Sequence, residues 1–146
     1  MKVLVFYTKR FAYKTAEQNL TDEELKVFYP DTAAIKHQDE HKDCITAFIQ
    51  VEAEDEERDL KSREKKLANH LKWVARKNNT NDILLHSFAH LSASKASLQF
   101  TSRLFDATKK RLNNGDYTAS QTPFGFFLDL DMEAPGFSMA RVWGDL

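Results

Sequence analysis

DILLHSFAHLSAS, residues 82–94, is the stretch on which the fold turns. Its first half is a short apolar run, branched and aliphatic, of the kind that forms a buried strand. Its second half turns abruptly small and polar around His90. Long helical patterns flank it on both sides. A strand set between two helices implies helix crossovers, and crossovers imply parallel pairing with neighbouring strands.

Working outward, CITAFIQVE (44–52) reads as a second buried strand, followed by the acidic EDEE (54–57). Leu60, Leu67, Leu71 and Val74 then recur at helical spacing, with Lys and Arg between them. Acidic residues first and basic residues last suit the helix dipole, and NNTND (78–82) ends the helix. On the other side, SASKASLQFTSRLFDATKKRLNN (92–114) predicts a second long helix. Ser92 or Ser94 is placed to cap it, and Leu98, Leu104, Phe105 and Leu112 give it an apolar face. Gly115 fits a C′ position in a left-handed conformation.

KVLVFYT (2–8) predicts a first strand, and TDEEL (21–25) carries a capping box, Thr21 with Glu24, for a helix that stops before Pro30. HQDEHKD (37–43) reads as a polar loop. DYTAS (116–120), FFLDLDM (126–132) and FSMARVW (137–143) read as further strands, with antiparallel pairing open to them. The expected architecture is α/β: one domain, 1–146, with a mixed β-sheet covered by two long helices.

The net charge of −1 does not advertise a nucleic-acid binder. Basic residues do cluster in 58–66, 72–77 and 109–111, either as a positive surface or as solvated helix faces. No apolar run approaches ~18 residues, so no membrane helix is expected. MKVLVFYTKR (1–10) lacks a small-residue cleavage site and reads as a strand rather than a leader. Cys44, the one cysteine, has no partner for an internal disulfide. These features point to the cytoplasm.

Familiar catalytic motifs are missing: no Gly-rich phosphate loop, no CxxC, no HExxH, no GxSxG. Cys44 lies in an apolar strand and suits the core. His37 and His41 have i,i+4 spacing, without a ligand-rich second segment to complete a metal site. Asp129 and Asp131 share one face of a strand, a pattern commoner on solvent faces than in acid–base pairs. Two stretches remain, SFAHLSAS (87–94) and TPFGFF (122–127). In the second, Pro123 fixes the backbone, and Gly125 either allows a ligand close to the main chain or serves a tight turn.

VLVFYT, AFIQVEAEDEE (47–57), ILLHSFAHLSAS (83–94) and TPFGFF, in this order and spacing, resemble the N-terminal editing domain of archaeal-type threonyl-tRNA synthetases. That family has a strand ending in P-F-A-H-L-S-S and, later, P-F-G before two aromatics. The resemblance covers nearly the whole chain. It implies a D-aminoacyl-tRNA deacylase-like fold and hydrolysis of the ester of serine wrongly attached to tRNA(Thr), with no metal and no cofactor. It also implies a site rich in main-chain groups and helped by the tRNA's own ribose hydroxyl. The implied partners are the 3′ aminoacyl end of tRNA, a threonyl-tRNA synthetase catalytic subunit or domain, and a second copy in a homodimer; no membrane is implied.

Carried over by position, the resemblance assigns His90, Gly125, Phe127 and Leu128 to the catalytic centre. It assigns Val51, Glu52, Phe88, Ala89, Phe124, Phe126 and Arg141 to substrate binding. The chain departs from the pattern in places. Leu128 stands where the family has lysine, Arg141 where it has glutamate, and Ser87 where it has proline. Phe126 and Phe127 lack the hydroxyls of the tyrosines commonly found there. Three functions stay open on this basis: an active deacylase, a degenerate editing domain that binds tRNA or assists synthetase assembly, and a binding module for an amino-acid-like small molecule.

Overall fold

A computed structural model describes residues 1–146. Strand β1 (Lys2–Gln18) leads through α1 (Asp22–Phe28) to β2 (Gln38–Gln50). A short α2 (Ala53–Glu56) and the long α3 (Leu60–Lys77) connect to β3 (Asp82–Ser87). The second long helix, α4 (Leu98–Asn113), connects to β4 (Thr118–Gln121), and β5 (Phe126–Glu133) and β6 (Arg141–Asp145) complete the chain. The sheet order is β4-β3-β2-β1-β5, with β6 also on β1. β2, β3 and β4 are parallel; β1 is antiparallel to β2, β5 and β6. Expected crossovers and antiparallel closure are both present.

The helical side of the sheet holds the main core. Val3, Val5, Ile45, Ile49, Ile83 and Leu85 meet Leu67, Leu71 and Val74 of α3 and Leu104, Phe105 and Leu112 of α4. Each such side chain, fully buried, contributes roughly 1.5–3 kcal/mol. On the other face Phe11, Tyr13, Cys44, Phe48 and Leu84 form a second cluster. Burial pushes the Cys44 thiol up and makes it an inert core group. A buried polar knot ties α2 to α3: Arg63 lies 2.9 Å from Asp55, whose other oxygen is 3.0 Å from the Met1 amine.

Four local expectations change. Residues 38–43 are strand, not loop, with Gln38–Lys42 paired to Arg10–Lys14. This arm is polar because it is held by cross-strand contacts rather than by burial, such as Arg10–Glu40 at 2.8 Å. Along an extended chain i,i+4 side chains stand roughly 13 Å apart. His37 instead bonds Thr15 (2.8 Å) and His41 sits 3.0 Å from Asp39, and no group of three or more candidate ligands is placed to hold an ion.

α4 starts at Leu98 and is capped by Ser97, whose hydroxyl accepts from Phe100 N–H at 3.1 Å; Ser92 and Ser94 belong to the preceding loop. Leu98 is exposed rather than part of the apolar face. Gly115 is not left-handed, because the helix ends through an αR Asn114. The capping box on α1 and its stop before Pro30 form as expected. Asp129 and Asp131 both face solvent, and Asp131 is paired with Arg10.

Candidate functional site

β3 ends where two loops converge, one before α4 and one before β5. Between them lies a cavity of about 380 Å³. Its lining brings together Phe88, Ala89 and His90 from the first loop with Phe124 and Gly125 from the second and Phe126, Phe127 and Leu128 from the start of β5. Eight of the eleven assigned positions therefore share one space, although the two stretches lie far apart in sequence.

One side chain builds the first wall. Gln50, at the end of β2, is buried and makes four hydrogen bonds to the loop's main chain. Its Oε1 accepts from Leu91 N–H (2.6 Å) and Ser92 N–H (2.7 Å). Its Nε2 donates to Ser92 O (2.8 Å) and Ser94 O (2.9 Å). That saturates the amide. Phe88 N–H continues the sheet by donating to Ile49 O at 2.9 Å. His90 itself is exposed, edge-on to Phe88 with ring centres 5.0 Å apart, and the protein gives it no hydrogen bond.

The second wall is fixed from behind. Thr122 N–H donates to Leu85 O at 3.0 Å, and Phe124 N–H to Tyr29 Oη at 2.7 Å. Gly125 O accepts from Asn19 N–H at 2.8 Å. Gly125 adopts φ +92°, and a Cβ there would lie 2.5 Å from a Leu25 methyl. Glycine is thus required by the turn and by its packing on Leu20 and Leu25. Phe124 packs into the core on Phe105, Phe127 is exposed, and Phe126 meets His37 edge-on at 5.3 Å. Leu128 packs beside the second cluster and offers no polar group.

Three assigned residues are not in the cavity. Val51 O accepts from Ala96 N–H at 2.9 Å, and Glu52 accepts from the Ser92 hydroxyl at 2.7 Å. Both brace the loop. The Met1 ammonium, 2.8 Å from Glu52, holds its carboxyl below the ordinary range. Arg141 lies on β6 opposite Phe6, with its guanidinium on Pro135 O, and does not line the cavity.

Sequence reasoning missed Gln50 and His86. Each is a polar residue inside a run that reads as buried, and that is the signal each left. A buried polar side chain must find partners, so its position marks where the fold needs them.

A family profile described as the archaea-specific editing domain of threonyl-tRNA synthetase matches residues 1–146. The chain belongs to this family. The threonine–tRNA ligase of Methanosphaera stadtmanae is 24% identical over 145 residues, covering 97% of this chain and 22% of that protein. That of Methanosarcina barkeri is 23% identical over 142 residues, covering 97% and 21%. The editing-domain chain thus spans about a fifth of these relatives. Among solved structures, a c-Myc DNA unwinding element binding protein superposes with a TM-score of 0.58 at 14% identity, covering 100% of this chain and 99% of that one. The fold is α/β and D-aminoacyl-tRNA deacylase-like. No helix is long and apolar enough to cross a membrane.

Proposed function

We propose that residues 1–146 act as one aminoacyl-tRNA editing unit that hydrolyses the seryl ester of mischarged tRNA(Thr). The observation that carries this reading is the convergence of both family motifs on one cavity of about 380 Å³, room for an aminoacyl group together with part of its nucleoside. Water adds to the ester carbonyl, the carbon–ribose oxygen bond breaks, and the ribose oxygen takes the proton. The products are serine and tRNA. Main-chain N–H groups around Gly125–Leu128 hold the carbonyl or the water. His90 positions the aminoacyl group or terminal ribose, and Phe126 and Phe127 wall the pocket or stack near adenine. A backbone-rich site of this kind needs no side-chain triad. The reading calls for no metal or cofactor. The partners are the 3′ aminoacyl end of tRNA and a threonyl-tRNA synthetase catalytic subunit or domain, in the cytoplasm. Exposed Lys65, Lys66, Arg76 and Lys77 on α3 support RNA binding.

A second reading is favoured by Leu128 and Arg141: a non-catalytic domain that binds tRNA or assists assembly. Position 128 carries no polar side chain, and Arg141 is turned elsewhere. An unmatched polar group on a substrate costs roughly 1–3 kcal/mol, or one to two decades in rate.

NMR titration with an amide-linked seryl-adenosine analogue tests the location. Shifts are expected at Phe88–His90 and Gly125–Leu128. Shifts confined to another surface would discard the site.

The chain also pairs with a second copy, on this reading. Leu130, Met132 and Trp143 leave large apolar surfaces exposed on β5 and β6. Sedimentation should give a dimer for the wild type and a monomer for Leu130→Asp/Trp143→Asp. A monomeric wild type at micromolar concentration contradicts the pairing.

A further inference from the structure

His86 lines the cavity but has no part in the mechanism above. It occupies the next-to-last position of β3 and is buried. Its Nδ1 lies 2.8 Å from Thr122 Oγ1. Phe48 stands edge-on to the imidazole at 5.1 Å, and Phe88 lies 5.8 Å away. The ring is therefore held by one hydrogen bond and two aromatic neighbours. Nε2 has no protein partner, yet it is not among the sealed polar atoms that lack one. The open space beside it is the cavity.

The protonation pattern follows from Thr122. A buried threonine hydroxyl has one hydrogen to donate. His86 Nδ1 is the one partner its oxygen has. If Nδ1 held the proton, the hydroxyl hydrogen would be buried without an acceptor. The hydroxyl therefore donates to Nδ1, and the ring proton sits on Nε2. Burial holds the imidazole down to about 4, so the ring is neutral at the pH of translation. The other titratable groups lining the cavity are His90 and Lys95, both exposed.

We propose that His86 Nε2–H is a fixed, uncharged hydrogen-bond donor on the cavity wall that binds an oxygen acceptor of the aminoacyl group. This role rests on the editing reading. It supplies a polar contact in a site whose position 128 offers none. A neutral donor strengthens as negative charge develops on an ester carbonyl, without the full cation that would hold a carboxylate product. The acceptor is either that carbonyl oxygen or the serine hydroxyl oxygen, and the two are separable.

Two measurements test the proposal. In 15N-histidine spectra of the wild-type chain, His86 should show the Nε2–H tautomer from pH 8 down to 5. An Nδ1–H tautomer, or protonation near pH 6.5, overturns it. The second measurement is the Kd for amide-linked seryl- and alanyl-adenosine analogues. His86→Phe keeps an aromatic ring but removes both nitrogens, and should weaken seryl-analogue binding roughly ten- to hundredfold. His86→Gln, with an N–H near the Nε2 position, should recover most of it. An equal loss on both analogues supports the carbonyl as acceptor, and a loss confined to the seryl analogue supports the hydroxyl. Unchanged affinity in a folded His86→Phe, with the wild type binding, overturns this role alone. A wild type that binds neither analogue overturns the editing reading and this role with it.

Discussion

Gln50→Leu is expected to destabilise the protein by roughly 3–5 kcal/mol, the sum of four main-chain hydrogen bonds each worth ~0.5–1.5 kcal/mol and the cost of groups left unmatched. Leucine fills much of the same volume, so the effect is one of hydrogen bonding rather than of a cavity. Two N–H groups and two carbonyls of Leu91, Ser92 and Ser94 would lose their partner together. The loop that carries Phe88, Ala89 and His90 would then open to water, and the cavity would lose a wall. A urea midpoint measures the first effect, and hydrogen exchange at Leu91 and Ser92 the second. A loss under about 1 kcal/mol with these amides still protected would show that Gln50 does not hold the loop.

The turn on the opposite side depends on Gly125 in a different way. Gly125→Ala combines a left-handed backbone penalty of ~1–2 kcal/mol with overpacking of ~1–3 kcal/mol. The new Cβ would stand 2.5 Å from Leu25 Cδ2 and 3.3 Å from Leu20 Cβ. Leu25 can swing its methyl aside, whereas Leu20 Cβ is fixed to the chain. A melting-temperature loss of about 10 °C is expected. Gly125→Asn separates the two causes. Asparagine tolerates positive φ but carries the same Cβ, so it should remain far below wild type. An alanine variant within about 2 °C of wild type would mean that the turn relaxes freely.

These two residues show what the sequence made legible. TPFGFF announced a turn with a special glycine, and the positive φ agrees, although the space it protects belongs to Leu20 and Leu25 rather than to a ligand. β3 and the long helices were readable because burial imposes a period on apolar side chains. The 38–43 arm was not, because its strand is stabilised by charge pairs and main-chain bonds that leave no hydrophobic pattern. Ser97 was overlooked as a cap because three serines precede α4, and the choice among them is made by Gln50, which claims the main chain of Ser92 and Ser94. His90, Phe88 and the 124–128 segment, which the sequence placed in one site, line one cavity. Arg141 lies outside it, since its place is set by pairing with Phe6 on an edge that a linear motif does not reveal.

Single-turnover deacylation of Ser-tRNA(Thr) beside Thr-tRNA(Thr), with wild type and His90→Ala, tests the proposed editing activity directly. Wild type should cleave the seryl ester well above the spontaneous rate and faster than the threonyl ester, and His90→Ala should be slower. A seryl ester that decays at the spontaneous rate in the presence of wild type would contradict that activity.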